Sequence, residues 1–248
     1  MGLKLPDEKT SGIVTLDEIR MLLYGPPKIG KTNLASGFPD VLFLATEKGY
    51  ASHKIYKIDI KSWLEFKEAV DLLLTKKHKY KTIVIDTVDI LFNQCEIYIC
   101  KKLNIVHLSD SGYGKGYDII SKEFEKVVNK LFLSDYGLIF ISHTKIIELV
   151  SRTGKTSKIV PTLANTARKI LIPKVSVIGY LDVKVIEIKP KKFVERRVIS
   201  FKPSEILEAG DRDGVLPEEI ITYKDARKTY EIFKQAYSKQ KGEQKMGD

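Results

Sequence analysis

The stretch "GPPKIGKT", from Gly25 to Thr32, constrains this chain more than any other. It follows the apolar run "IRMLLY" and precedes "KTNLASGF", so it joins a buried strand to a helix, the context in which this pattern makes a phosphate-binding loop. Gly25 and Gly30 are needed because the backbone must turn its N–H groups inward, close to phosphate oxygens that a Cβ would obstruct. Pro26, Pro27, Lys28 and Ile29 complete the loop, and Lys31 reaches the β and γ phosphates. Thr32 offers its hydroxyl to Mg²⁺, and Asn33 lies in the helix whose positive end adds to the field. ATP with Mg²⁺ is the expected cofactor pair. What the nucleotide drives is left open.

The rest of the chain reads as the sheet such a loop requires. "VLFLAT", "KTIVIDTVD" and "GLIFISH" are continuous apolar runs of the kind found in parallel strands covered on both faces. "KIYKIDI" reads as an edge strand. Between them Trp63, Phe66, Val70 and Leu73 share one helical face behind a Ser62 N-cap, and Phe124, Val127, Val128 and Leu131 share another. Alternation of strand and helix up to about residue 142 predicts a three-layer α/β core with a mostly parallel sheet. "TKIIELVSRTGKTSKIVPT" has no sustained period and reads as a mobile loop or small hairpin; "SVIGYLDVKVIEI" and "FVERRVISF" read as a C-terminal antiparallel hairpin. The expected organisation is a flexible segment over 1–17, one ATPase domain over 18–222, a helix over 223–237 and a disordered polar tail over 238–248.

Composition removes several classes. Of 248 residues, 43% are hydrophobic and 30% charged, ordinary for a soluble globular chain. The longest apolar runs fall far short of a membrane span, and no signal-peptide pattern opens the chain, so a cytoplasmic protein is expected. Pro6 stands where a myristoylation site needs Ser or Thr. Cys95 and Cys100 read as reduced core thiols, and His53, His78, His107 and His143 lack ligand spacing, so no structural metal is expected.

Three strand ends carry candidate chemistry. Asp86 closes "TIVID" on the edge where open α/β sheets bind ligands, and there it would hold Mg²⁺ together with Thr32; capping the next helix is its bland role. Glu47 closes the strand after the phosphate loop, where a carboxylate orients and deprotonates the attacking water; a solvated strand end beside Lys48 is the alternative. His143 closes "GLIFIS" on the same edge and would sense the γ-phosphate, or else satisfy a loop carbonyl.

In this order, "GPPKIGKT", "LATEKG", "TIVIDTVD", "GYGKGYD", "FISHT" and the late "AGDRDGVLPEEI" resemble the phage-encoded nucleotide-binding proteins with a RecA-like core. That family includes the fourth group of Sak-type single-strand annealing ATPases. The resemblance spans roughly residues 20 to 221. It implies that Lys31 and Thr32 bind Mg-ATP, that Glu47 is the catalytic carboxylate and that His143 senses the γ-phosphate. It also implies a homo-oligomer, ring or filament, with ATP at subunit contacts, where Arg212 would act as an arginine finger; a salt bridge within its own acidic turn is the alternative. Ser176 departs from the acidic residue that members tend to carry near "KVSVIGYL".

A formal net charge of +10 favours a polyanionic partner, though it is spread along the chain. Lys145, Arg152, Lys155 and Lys158 stand behind His143 against a single Glu148, where a γ-phosphate sensor would order or release them. Tyr113, Lys115 and Tyr117 in "SGYGKGY" offer stacking around a cation. The expected function is a RecA-like ATPase that binds single-stranded DNA as an oligomer and promotes annealing or recombination, with a single-strand-binding protein as a possible helper. Small-molecule P-loop kinases form the main alternative, and a nucleotide-gated assembly protein without DNA activity the third. Kinases need an arginine-bearing lid, and Arg152 stands alone across residues 104–160.

Overall fold

The computed structural model describes residue 7 and residues 16–50, 54–112, 114–151 and 154–243, without the side chains of 17, 151, 188 and 238–243. Strands without polar alternation must be covered on both faces, because no side of them tolerates water. β1 (Arg20–Tyr24), β2 (Val41–Ala45) and, past the exposed edge strand β3 (Tyr56–Asp59), β4 (Thr82–Asp86) and β5 (Gly137–Ser142) form a parallel sheet. Spatial order is β1-β5-β4-β2-β3, so β5 separates the strand of the phosphate loop from the strand of Asp86.

The later strands extend the fold beyond this core. β6 (Thr144–Ser151) and β7 (Gly154–Pro161) pair with each other as an antiparallel ribbon. β8 (Val177–Lys189) joins the main sheet parallel to β1, Val177 to Tyr180 lying opposite Met21 to Tyr24, and then continues past the end of β1 as a hairpin with β9 (Lys192–Ser200). β10 (Gly210–Asp211) and β11 (Glu219–Ile221) close this side of the sheet.

Helices cover both faces. α2 (Trp63–Thr75), α3 (Val88–Leu103), α4 (Lys115–Phe132) and α5 (Asn165–Leu171) bury one core, in which Trp63 and Phe92 both pack on Phe124. The Ser62 side chain accepts from Glu65 N as the expected N-cap. α1 (Lys31–Ala35) and α6 (Ala226–Glu243) cover the other face, where Phe233 is fully buried against Phe38 and Phe201. Three layers and a mostly parallel sheet with an antiparallel hairpin are thus observed as the sequence predicts.

The segment behind His143, read as a mobile loop or small hairpin, is a hairpin paired along its length. Three details depart from the sequence-based prediction. The helix after the phosphate loop spans only five residues. α5, β10 and β11 are short elements with no periodicity of their own. α6 begins three residues later than 223 and runs to Glu243, through part of the expected tail. Docking of Phe233 and Tyr237 meets the cost of nucleation, after which Lys, Gln and Glu extend a helix readily. Tyr113, Arg152, His53, residues 244–248 and most of 1–15 lie outside the described residues. No described helix is long and apolar enough to cross a membrane.

Candidate functional site

β1 delivers its chain end at Gly25, where any side chain is excluded: an added Cβ would lie 2.3 Å from the Leu181 carbonyl oxygen of β8. The loop then passes through Lys28 and Gly30 at positive φ, 62° and 109°, and Gly30 caps α1. Glycine accepts that conformation without strain and leaves the approach to the loop open. Lys31 is buried and donates to the carbonyl oxygens of Gly25 and Pro26, both at 2.8 Å. Burial pushes its pKa down, with Asp86, Asp89 and Glu47 pulling back. An ammonium ion held dry by its own loop is one that an incoming anion can redirect.

Opposite the loop, three strand ends converge. Thr32 Oγ1 donates to Asp86 Oδ2 at 2.8 Å. Burial pushes the Asp86 carboxyl above its usual range, and the Thr32 hydrogen bond opposes this. Glu47 Oε1 accepts from Thr87 Oγ1 at 3.1 Å and lies 3.5 Å from His143 Nε2. The other ring nitrogen, His143 Nδ1, is buried without a partner among the described residues. Asp89, in the first turn of α3, accepts from Ser142 Oγ (2.9 Å) and from the His143 backbone N–H (3.1 Å), so it fixes the end of β5. Thr46 and Thr87 exchange hydrogen bonds, and the Tyr50 hydroxyl donates to the Asp86 carbonyl oxygen. Of these partners, Thr46, Thr87 and Tyr50 are residues that sequence reasoning missed. Only their position after each strand could have signalled them.

Together these groups line a cleft of about 420 Å³ that holds Gly30, Lys31, Thr32, Glu47, Asp86 and His143. That size suits a small ligand. Among the described residues no group of three His, Cys, Asp or Glu could hold a metal by itself. Thr32 and Asp86 supply hard oxygen donors only, which fits Mg²⁺, an ion usually held by one or two protein ligands with substrate phosphates and water. Such a cation polarises the phosphates and screens their charge.

A family model described as an AAA domain matches residues 17–213. The chain belongs to the AAA-domain family. Over 131 residues it is 32% identical to the SPbeta prophage-derived uncharacterized protein YorG of Bacillus subtilis (strain 168), a match covering 49% of this chain and 39% of that protein. The chain therefore spans well under half of that relative. Among solved structures it is similar to the flagellar accessory protein FlaH from Methanocaldococcus jannaschii, with a TM-score of 0.43 and 11% identity over 82% of this chain and 85% of that one. Membership of an AAA-type P-loop ATPase family supports nucleotide binding by this domain.

Other predicted residues are not brought to the AAA-domain cleft. Arg212 donates to the carbonyl oxygens of Pro173 (2.5 Å) and Val175 (3.0 Å), beside β10, which pairs with the start of β8 rather than the phosphate-loop end. The acidic-turn salt bridge gives way to this backbone anchor, which holds Arg212 away from the cleft of its own chain. Ser176 joins the same edge, donating through N–H and hydroxyl to Arg20 O. On the ribbon, Lys145 stands opposite Val160 and Lys158 opposite Ile147, whereas Lys155 stands opposite Val150. By strand alternation Lys145 and Lys158 share one face and Lys155 takes the other. Lys115 and Tyr117 lie exposed in the first turn of α4, outside the cleft lining.

Proposed function

We propose that this domain hydrolyses Mg-ATP with Glu47 as the base and uses the γ-phosphate to control a single-stranded DNA contact on the β6–β7 ribbon. The observation that supports it is the root of that ribbon. His143 faces Glu47 with its ring, is fixed by Asp89 through its backbone, and is followed at once by Thr144, the first residue of β6. Thr162 N–H, just past β7, donates back to the His143 carbonyl oxygen. Loss of a γ-phosphate beside Glu47 and His143 thus acts on both strands of the ribbon at their base. Lys145, Lys158 and Lys155 supply the phosphate contacts; Arg152 lies outside the described residues.

Work as a homo-oligomer in annealing or recombination, in the cytoplasm of a phage host, follows from this reading together with the prophage origin of the relative. A small-molecule kinase is favoured by one different observation. A cavity of about 560 Å³ adjoins the cleft across Glu47 and Tyr50, with Lys57, Lys61 and Gln94 on its far wall. An acceptor there would face the γ-phosphate. ATP turnover measured alone, with single-stranded DNA and with candidate small acceptors separates the readings. DNA stimulation supports the first, and phosphoryl transfer to an acceptor supports the second. Turnover indifferent to both leaves a nucleotide-gated assembly protein and removes the DNA reading.

A further inference from the structure

Gly30 is the residue whose missing side chain leaves room for phosphate, and its positive φ sets it at the mouth of the cleft. That room has one charged neighbour from a distant part of the chain. A Cβ built on Gly30 would lie 3.2 Å from Nη1 of Arg197 and 4.0 Å from its Cζ. The β8–β9 hairpin brings it there. Beyond Tyr180 the hairpin outruns β1, and Arg197 stands on β9 opposite Val183, past the strand end where the phosphate loop begins. Its backbone is pinned, because the Arg197 carbonyl oxygen accepts from Thr222 N–H at 2.8 Å.

The guanidinium itself is exposed and makes no hydrogen bond or ion pair among the described residues. Of the nearby carboxylates, Glu219 pairs with Lys184, Glu187 accepts from Lys191 N–H, and Glu195, two residues away on the same strand face, forms no ion pair with Arg197. Arg196, the adjacent residue, points to the opposite strand face and donates to the Glu195 carbonyl oxygen. An unpaired planar fork at 3.2 Å from the Cβ position of Gly30 in the phosphate loop matches phosphate in shape and charge.

We propose that Arg197 is a nucleotide-phosphate ligand contributed by the β8–β9 hairpin, a role that rests on the cleft being a nucleotide site. Bound nucleotide then ties the hairpin to the phosphate loop. The hairpin carries Val185 and Phe193, both more than half exposed, so nucleotide would also fix the position of that apolar surface.

Calorimetric titration of the full chain with Mg-ATP and Mg-ADP, run with hydrogen exchange on the hairpin, tests this. Arg197→Ala should weaken both nucleotides about 10- to 100-fold, the worth of a charge-assisted hydrogen bond. Arg197→Lys should recover part of that affinity. Arg196→Ala removes the same charge from the other face and should bind as the parent does. In the parent, nucleotide should raise amide protection over residues 183–197, and in Arg197→Ala it should not. Melting temperatures confirm that each variant folds. If the parent binds ATP and Arg197→Ala matches it in affinity and hairpin protection, the role assigned to Arg197 is wrong. If the parent binds no ATP, the nucleotide reading itself has failed.

Discussion

The nucleotide cleft and the β6–β7 ribbon meet at His143 and are built on opposite terms. In the cleft, Lys31, Asp86 and Ser142 are 6%, 5% and 0% exposed, and each is paired with a partner from another element or its own loop. Burying such groups is costly, so their identity is narrowly restricted and their chemistry is legible. On the ribbon, Ile146 and Val150 are 70% and 75% exposed beside lysines on both faces. Exposed positions constrain residue type weakly, and a lysine there fits solubility as well as recognition.

The comparison breaks first at Lys31. Lys31→Ala removes the charge opposite the β and γ phosphates and should abolish ATP binding in calorimetry while the fold persists, since the side chain bonds only its own loop. Unchanged affinity would make the cleft as permissive as the ribbon. Glu47→Gln comes next. It keeps the bond from Thr87 and removes the base, so ATP should bind while steady-state hydrolysis falls by about 10² to 10⁴. Turnover at the parent's rate would move the base elsewhere, with Asp89 the nearest candidate.

How far each region was readable follows from the same contrast. The phosphate loop, the four buried strands and the strand-end Asp86, Glu47 and His143 were visible because a continuous apolar run that stops at a polar residue suits few structures besides a covered parallel strand with a ligand edge. The hairpin of β8 and β9 was visible through alternation, yet its parallel pairing with β1 was not, and so the placement of Arg197 beside Gly30 was hidden. Proximity between residues so far apart in the chain leaves no local signal. Thr46 and Thr87 stayed hidden because short polar side chains fit caps and turns anywhere. The intrachain partners of Arg212 were hidden for a related reason: its place in an acidic turn said nothing about the two carbonyl oxygens it holds.

A smaller effect sharpens the ribbon side. Every phosphate that a lysine no longer neutralises on single-stranded DNA should reduce the slope of log affinity against log salt by about 0.7. Lys145→Ala with Lys158→Ala strips one face and should flatten the slope by about 1.4, whereas Lys155→Ala, on the other face, should change it by about half as much or not at all. ATP affinity should hold in each variant. Anisotropy titrations at several salt concentrations read this directly. If replacing Lys145, Arg152, Lys155 and Lys158 together leaves the parent's affinity and slope, the ribbon is a solvated surface and does not bind DNA.

The smallest expected effect concerns stability, and it tests whether Asp86 is placed for ligand or for fold. Burial holds its carboxyl above the usual range, so the native chain binds more protons than the unfolded chain between the two values. Stability then falls as pH rises through that window, and the ionised carboxylate costs stability at neutral pH while no cation balances it. Asp86→Asn keeps an oxygen to accept from Thr32 and removes the charge. Lys31 loses a compensating neighbour in the exchange, but desolvation is the largest influence on Asp86, so the ligand-free variant should melt at or above the parent at pH 7. It should also gain less stability than the parent on mild acidification. With Mg-ATP the order should invert, because only the parent retains the carboxylate that helps to hold the cation, and binding stabilises by mass action. A variant that melts lower in both states would make Asp86 a structural group, and its burial would then say as little about function as the exposure of Lys155.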